Sequence, residues 1–147
     1  MKPDRELSAD RTPAAGQKLT VVLVTDQFQC KRLIVAGREL ADRTATQLEV
    51  INVASPDIPQ NPDAVEFLFQ VSKEYDATMM VHYSKEPGRL IAGLLTEQQP
   101  QTVVSGLPCE ENSLLHRIWT RFSQVDFYTV DHNGTLAPVT LGNRIIA

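Results

Sequence analysis

Short apolar runs alternate with segments of helical period, and this alternation limits the fold more than any other feature of the chain. Leu19–Thr25 (LTVVLVT) is an unbroken, β-branched apolar run, the pattern of a strand covered on both faces. From Gln29 to Arg43 the period changes: Leu33, Gly37, Leu40 and Ala41 share one helical face, with Arg32, Arg38, Glu39 and Asp42 off it. Leu48–Val53 returns to the strand pattern, and a loop punctuated by prolines (SPDIPQNP) leads to a stripe of Ala64, Phe67, Leu68, Val71 and Tyr75. Ala77–Tyr83 reads as a third strand, and Pro87 opens a helix carrying Leu90, Ile91, Leu94 and Leu95. Gln101–Gly106 is the fourth strand. Leu115, Ile118, Trp119 and Phe122 stripe the fourth helix, and Phe127–Val130 is the fifth strand.

Strands separated by single helices through short connections predict an α/β fold: an open, five-stranded parallel sheet of Rossmann-like type with helices on both faces. The end of the chain departs from that rule. Asn133-Gly134 between two strand-like runs signals a tight turn, so a C-terminal antiparallel edge hairpin is expected, its outer strand near Thr135–Leu141. Pro138 fits there because an edge strand can spare a donor. Residues 1–18 read as a disordered polar lead without the apolar stretch of a signal peptide, and residues 19–147 as a single domain. The net charge of -4 gives no electrostatic case for nucleic acid as a partner. No apolar run reaches the roughly 18 residues of a membrane-spanning helix, so no membrane insertion is expected. Two cysteines are too few for a disulfide framework, and a cytoplasmic location is the expectation.

In an open parallel sheet, ligands bind beyond the carboxyl ends of the strands, near the point where strand order reverses. That directs attention to Thr25, Asp26 and Gln27, to Val53–Pro56, to Tyr83 and Ser84, and to Gly106–Cys109. Asp26 has two readings: an acceptor for a ribose hydroxyl, or the N-cap of the next helix. The stretch VVSGLPCEENS (residues 103–113) runs from a strand through one glycine toward a helix, where a phosphate would rest on main-chain N–H groups. No phosphate-binding loop of the G-x-x-x-x-G-K-[ST] form and no G-x-S-x-G elbow occurs. His82, His116 and His132 fall on different elements without metal-ligand spacing, and read as ordinary histidines. Cys30 and Cys109 should project from one sheet edge; either they are inert core thiols, or at least one is accessible and reactive. Trp119, in step with Leu115 and Phe122, reads first as core.

The order and spacing of VVLVTDQF, RLIVAGRELADRTATQLEVINV, PGRLIAGLL and PQTVVSG resemble the universal stress protein family over roughly residues 19–130. Cys30-Lys31-Arg32-Leu33-Ile34 with Gly37 is similar to the stress-protein-like domain of potassium-sensing histidine kinases. The resemblance implies a stress-response or signalling module that is regulatory and non-catalytic, with ATP or AMP as the possible nucleotide ligand. It also implies a homodimer, expected here through Phe127–Leu141. ATP-binding members carry G-x-x-G, nine residues, then G-[ST]. Against that pattern Thr25 and Asp26 match the end of strand one, and Asp26, Val53, Gly106 and Thr120 match nucleotide-contacting positions. Cys109 and Trp119 stand where the pattern has glycine, and Pro108 removes an N–H from the loop. The expectation is a degenerate adenine-nucleotide pocket; the alternatives are an ATP/AMP binder with altered phosphate contacts, and a dimerisation or sensor partner in potassium or osmotic signalling.

Overall fold

The computed structural model describes residues 18–107 and 114–139. The expected polar lead (except Lys18), Cys109 and the last residues of the expected sixth strand lie outside the described residues. The strands are β1 (Leu19–Val24), β2 (Gln47–Ala54), β3 (Thr78–Tyr83), β4 (Thr102–Gly106), β5 (Asp126–Val130) and β6 (Leu136–Pro138). The helices are α1 (Lys31–Thr44), preceded by a 3₁₀ turn at Phe28–Cys30, then α2 (Pro62–Glu74), α3 (Pro87–Gln98) and α4 (Leu114–Arg121). They build one sheet in the order β3-β2-β1-β4-β5-β6, parallel except for the β5–β6 pair. The predicted fold class is the observed one.

Alternation along each strand sorts the core into two layers. Val22, Val24, Val50 and Val104 face α1 and α2, against Leu33, Leu40, Leu68 and Val71. Val21, Ile51, Val103 and Phe127 face α3 and α4, against Ile91, Leu95, Ile118 and Trp119. Successive crossovers therefore run β1 to β2 to β3 over one face, then return from β3 to β4 over the other. Strand order reverses between β1 and β4, which are hydrogen-bonded neighbours.

Helix α1 lies very close to β1 because Gly37 has no side chain there. A Cβ at that position would stand 2.5 Å from Val22 Cγ2 and 3.2 Å from Leu48 Cδ1. Helix α2 starts on an Asn61 cap, whose side chain accepts from the Asp63 and Ala64 N–H groups, with Pro62 in the first turn. At the amino ends of the strands, the Thr20 hydroxyl bonds those of Thr46 and Thr102, which satisfies three buried polar groups inside the layer facing α1.

The hairpin is looser than a two-residue Asn-Gly turn. Its loop is Asp131–Thr135: Gly134 N–H donates to Asp131 C=O at 3.0 Å, and Gly134 alone carries the positive φ, +84°. This is a four-residue turn ending in a left-handed glycine, held by the Asp131 carboxylate, which accepts from the Asn133 and Thr135 N–H groups at 2.9 Å. Within the described residues β6 is shorter than the expected strand, and it occupies the outer edge of β5. The expected C-terminal edge hairpin is thus present, with β6 lying outside β5. The longer open edge is that of β3.

Two substitutions test the packing. Gly37→Ala gains helix propensity but drives a methyl into a β-branched side chain of the central strand. Net destabilisation of about 1–3 kcal/mol is expected in denaturant titration. Glu49 is buried on β2, and burial is the main cause that raises its carboxyl above the ordinary value of 4.5, the nearby Gln98 side chain acting in the opposite sense. A raised folded-state value gives a contribution fully present below the unfolded value and lost as pH rises through the folded one. Glu49→Gln, neutral throughout, should therefore raise the melting temperature near neutral pH, with the gain vanishing toward about pH 4.

Candidate functional site

The crevice at the carboxyl ends of β1 and β4 is where the two crossover directions part. Thr25 and Asp26 follow β1, Gly106 ends β4, and Val53 lies near the end of β2. The β1–β2 register pairs Val24 with Asn52, so Thr25 lies across from Val53. The β1–β4 register pairs Val22 with Val104, which carries Gly106 to the level of Val24. Neighbouring strands lie about 4.8 Å apart, so Thr25, Asp26, Val53 and Gly106 are gathered at one edge.

Thr120 is not gathered there. Helix α4 begins after the β4 loop and runs back toward the amino ends of the strands, and Thr120 is its penultimate residue. At about 1.5 Å rise per residue, it sits roughly 9 Å down the helix from Leu114. It is exposed, and its hydroxyl donates to His116 C=O at 2.9 Å. Trp119 is likewise remote from the crevice; it is 6% exposed and belongs to the core beneath α4. Its core reading is the correct one, and its indole does not fill the place of a phosphate.

Asp26 is not a helix cap. The residue preceding the 3₁₀ turn is Gln27, and that turn and α1 have no side-chain cap. Instead Asp26 Oδ2 accepts the Asn61 N–H at 2.7 Å, tying the loop after β1 to the head of α2. The contact of the Phe28 and Phe67 rings, 5.3 Å between centroids, fastens the same two segments. Asp26 Oδ1 makes no protein hydrogen bond among the described residues. One oxygen is anchored and the other is available at the strand tip.

Sequence reasoning placed Arg32 only on the polar side of its helix, yet it is the cation of this edge. Its Nε donates to Asp131 C=O and its Nη1 to Gln29 C=O, both at 2.8 Å. Its Nη2 stands 3.8 Å from where a Cβ on Gly106 would lie. The guanidinium spans the ends of β1, β4 and β5 and is held by carbonyl groups, with no carboxylate partner among the described residues. A signal existed in the sequence: Lys31-Arg32 opens α1, and no acidic residue lies in the first turn. The positive end of a helix dipole disfavours that choice.

Cys30 is 4% exposed, and its thiol meets the Thr25 hydroxyl at 3.5 Å rather than a base. The expectation of an accessible thiol fails for Cys30; Cys109 lies outside the described residues. His82 is partly buried on β3, with Nε2 lacking a protein partner; His116 contacts the Trp119 ring at 5.6 Å; His132 sits in the hairpin loop. Among the described residues no group of three or more His, Cys, Asp or Glu could hold a metal ion, and no helix is long and apolar enough to cross a membrane.

No family model and no curated protein matches the chain. A solved structure does: a protein from the universal stress protein family of Burkholderia pseudomallei, with a TM-score of 0.51 over 78% of this chain and 96% of that one. The fold is that of the universal stress proteins. Sequence identity is 13%, so the likeness is carried by topology. In this stress-protein fold the edge holding Asp26, Arg32 and Gly106 is the ligand-facing edge by the general rule for open parallel sheets.

The Asp26 tie has a direct readout. Asp26→Ala should cost about 1 kcal/mol of local stability. It should speed hydrogen exchange at the Asn61 amide while leaving amides in the middle of β1 unchanged.

Proposed function

We propose that the chain is a regulatory, non-catalytic binding module of universal-stress type whose crevice takes an adenine nucleotide by its adenosine end, AMP or adenosine in preference to ATP. The observation that carries this reading is the state of Asp26. Its anchored oxygen holds the carboxylate at the tip of β1, and its other oxygen is available to accept a ribose hydroxyl. Val53 supplies apolar surface beside it, and Gly106 presents main chain without a side chain.

Phosphate binding is the weaker half of this site. Cys109 replaces a glycine of the resembled loop pattern, and Pro108 removes a donor. Thr120 is directed away from the edge by the course of α4. Arg32 favours a second reading, in which its guanidinium takes over one phosphate from the missing main-chain donors. A stress or signalling role is what the family resemblance implies for a module of this kind.

Titration calorimetry of AMP, adenosine and magnesium-ATP against the intact protein separates these readings. Under the first, AMP binds at least about tenfold more tightly than ATP, a difference of roughly 1.4 kcal/mol, and Asp26→Ala abolishes AMP binding. Tight magnesium-dependent ATP binding that is lost in Arg32→Ala supports the second. Binding of none of the three by a folded protein overturns both.

A further inference from the structure

A cleft of about 260 Å³ lies at the amino ends of β1, β2 and β3, at the opposite end of the sheet from the crevice. Leu19, Gln47, Glu49 and Thr78 wall it from the sheet, and Arg38 and Asp76 wall it from α1 and the turn after α2. The strand registers account for the first set. Leu19 stands opposite Gln47 and Glu49 opposite Thr78, so alternation puts these four side chains on the face that carries α3 and α4.

Glu49 gives the cleft its chemistry. It is 8% exposed, and its Oε1 is shut from solvent without a hydrogen-bond partner among the described residues. Burial raises its carboxyl above the ordinary value, as expected of an acid whose charged form lacks a compensating cation. Gln98, the last residue of α3, stands beside it, and the Oε1 of Gln98 is also buried and unpartnered. The carboxyl end of a helix carries partial negative charge. Two unpaired oxygens and a helix carboxyl end therefore meet beside the cleft.

Arg38 does not neutralise them. Its Nε and Nη2 contact Asp42 Oδ1 at 3.1 and 2.9 Å, and its Nη1 donates to the Tyr75 and Asp76 carbonyls at 3.0 and 3.3 Å. The Asp76 carboxylate has no partner among the described residues. Spare capacity in the cleft thus belongs to acceptors, which fits a cation and not an anion. A water takes about 30 Å³, so the space suits a small organic molecule better than one bare ion. Asp76 precedes Thr78 by two residues, up to about 7 Å along the chain, and Thr78 lies about 5 Å from Glu49 across the sheet. The two carboxylates are therefore within the span of a short carbon chain, with Leu19 and the stem of Gln47 as apolar wall between them.

We propose that this cleft binds a short aliphatic diamine, with one ammonium group on the Glu49 carboxylate and the other on that of Asp76. Turning the last side-chain bond of Glu49, a broad torsion, brings Oε1 to the cavity. Gln98 Oε1 and the Thr78 hydroxyl are further acceptors for the inner ammonium group. The site is separate from the crevice and stands whether or not the crevice takes a nucleotide.

Titration calorimetry on the full chain tests it, with putrescine as the diamine and n-butylamine as the single amine of similar length. The wild type should bind putrescine, and butylamine more weakly. Glu49→Gln should weaken both at least about tenfold, because it removes the buried partner of an ion pair. Loss of fold does not explain that result, since this variant is expected to be the more stable protein near neutral pH. Asp76→Asn should weaken putrescine by about threefold, as an exposed ion pair would, and leave butylamine unchanged. Circular dichroism confirms the fold of each variant. A folded wild type that does not bind putrescine at millimolar concentration overturns the proposal. So does binding that Glu49→Gln leaves intact, which would place the amine elsewhere, or butylamine binding as tightly as putrescine, which would remove Asp76 from the site.

Discussion

Burial of β1 on both faces is the constraint from which the other features follow. Val21 and Val22 are completely buried, one under α3 and α4 and the other under α1. A strand in that position must be flanked by strands on both sides and roofed by helices on both faces. The chain achieves this by sending its first two crossovers in one direction and the return crossover in the other. The close approach of α1 at Gly37 sets the spacing of one roof. The hydroxyl contacts of Thr20 with Thr46 and Thr102 close the amino end of the same strand without leaving those groups unpaired in the core. What remains unsatisfied is the carboxyl end, where the reversal opens a crevice.

The two ends of the sheet are therefore built for different purposes. At the amino ends, polar groups are paired with one another in the threonine cluster. At the carboxyl ends, Asp26 keeps an oxygen available and Arg32 leans on carbonyl groups instead of an acid. A charge held by neutral partners retains much of its capacity for an ionic ligand, whereas one held by an opposite charge does not. Asn52 differs from both ends: it is fully buried in β2, and neither polar atom of its side chain has a protein partner among the described residues. That costs about 1–3 kcal/mol relative to an apolar side chain of similar shape.

Much of the candidate site was legible, because residues that end strands of a parallel sheet share an edge wherever the strands lie in order. Thr25, Asp26, Val53 and Gly106 were found on that ground, and the structure gathers them. Thr120 was carried over from the resembled loop pattern by residue count alone. With α4 beginning by Leu114, the same count of residues travels down the helix and away from the edge. Arg32 escaped notice for the opposite reason. Its position on the polar side of α1 reads as ordinary solvent exposure until the turn at Asp131, 99 residues onward, is seen to receive its Nε–H.

The sequence by itself determined the elements, their order and the class of sheet, since period, β-branching and turn residues act over a few neighbouring positions. Helix ends were less readable where left-handed residues are not glycine, as at Ala45, Asp76 and Gln99. Only the tertiary structure decided that Asp26 binds the head of α2 rather than its own helix, and that Arg32 stands against Gly106. Each of those outcomes depends on segments far apart in the chain being brought together by the direction of the crossovers. Local patterns carry no record of that direction.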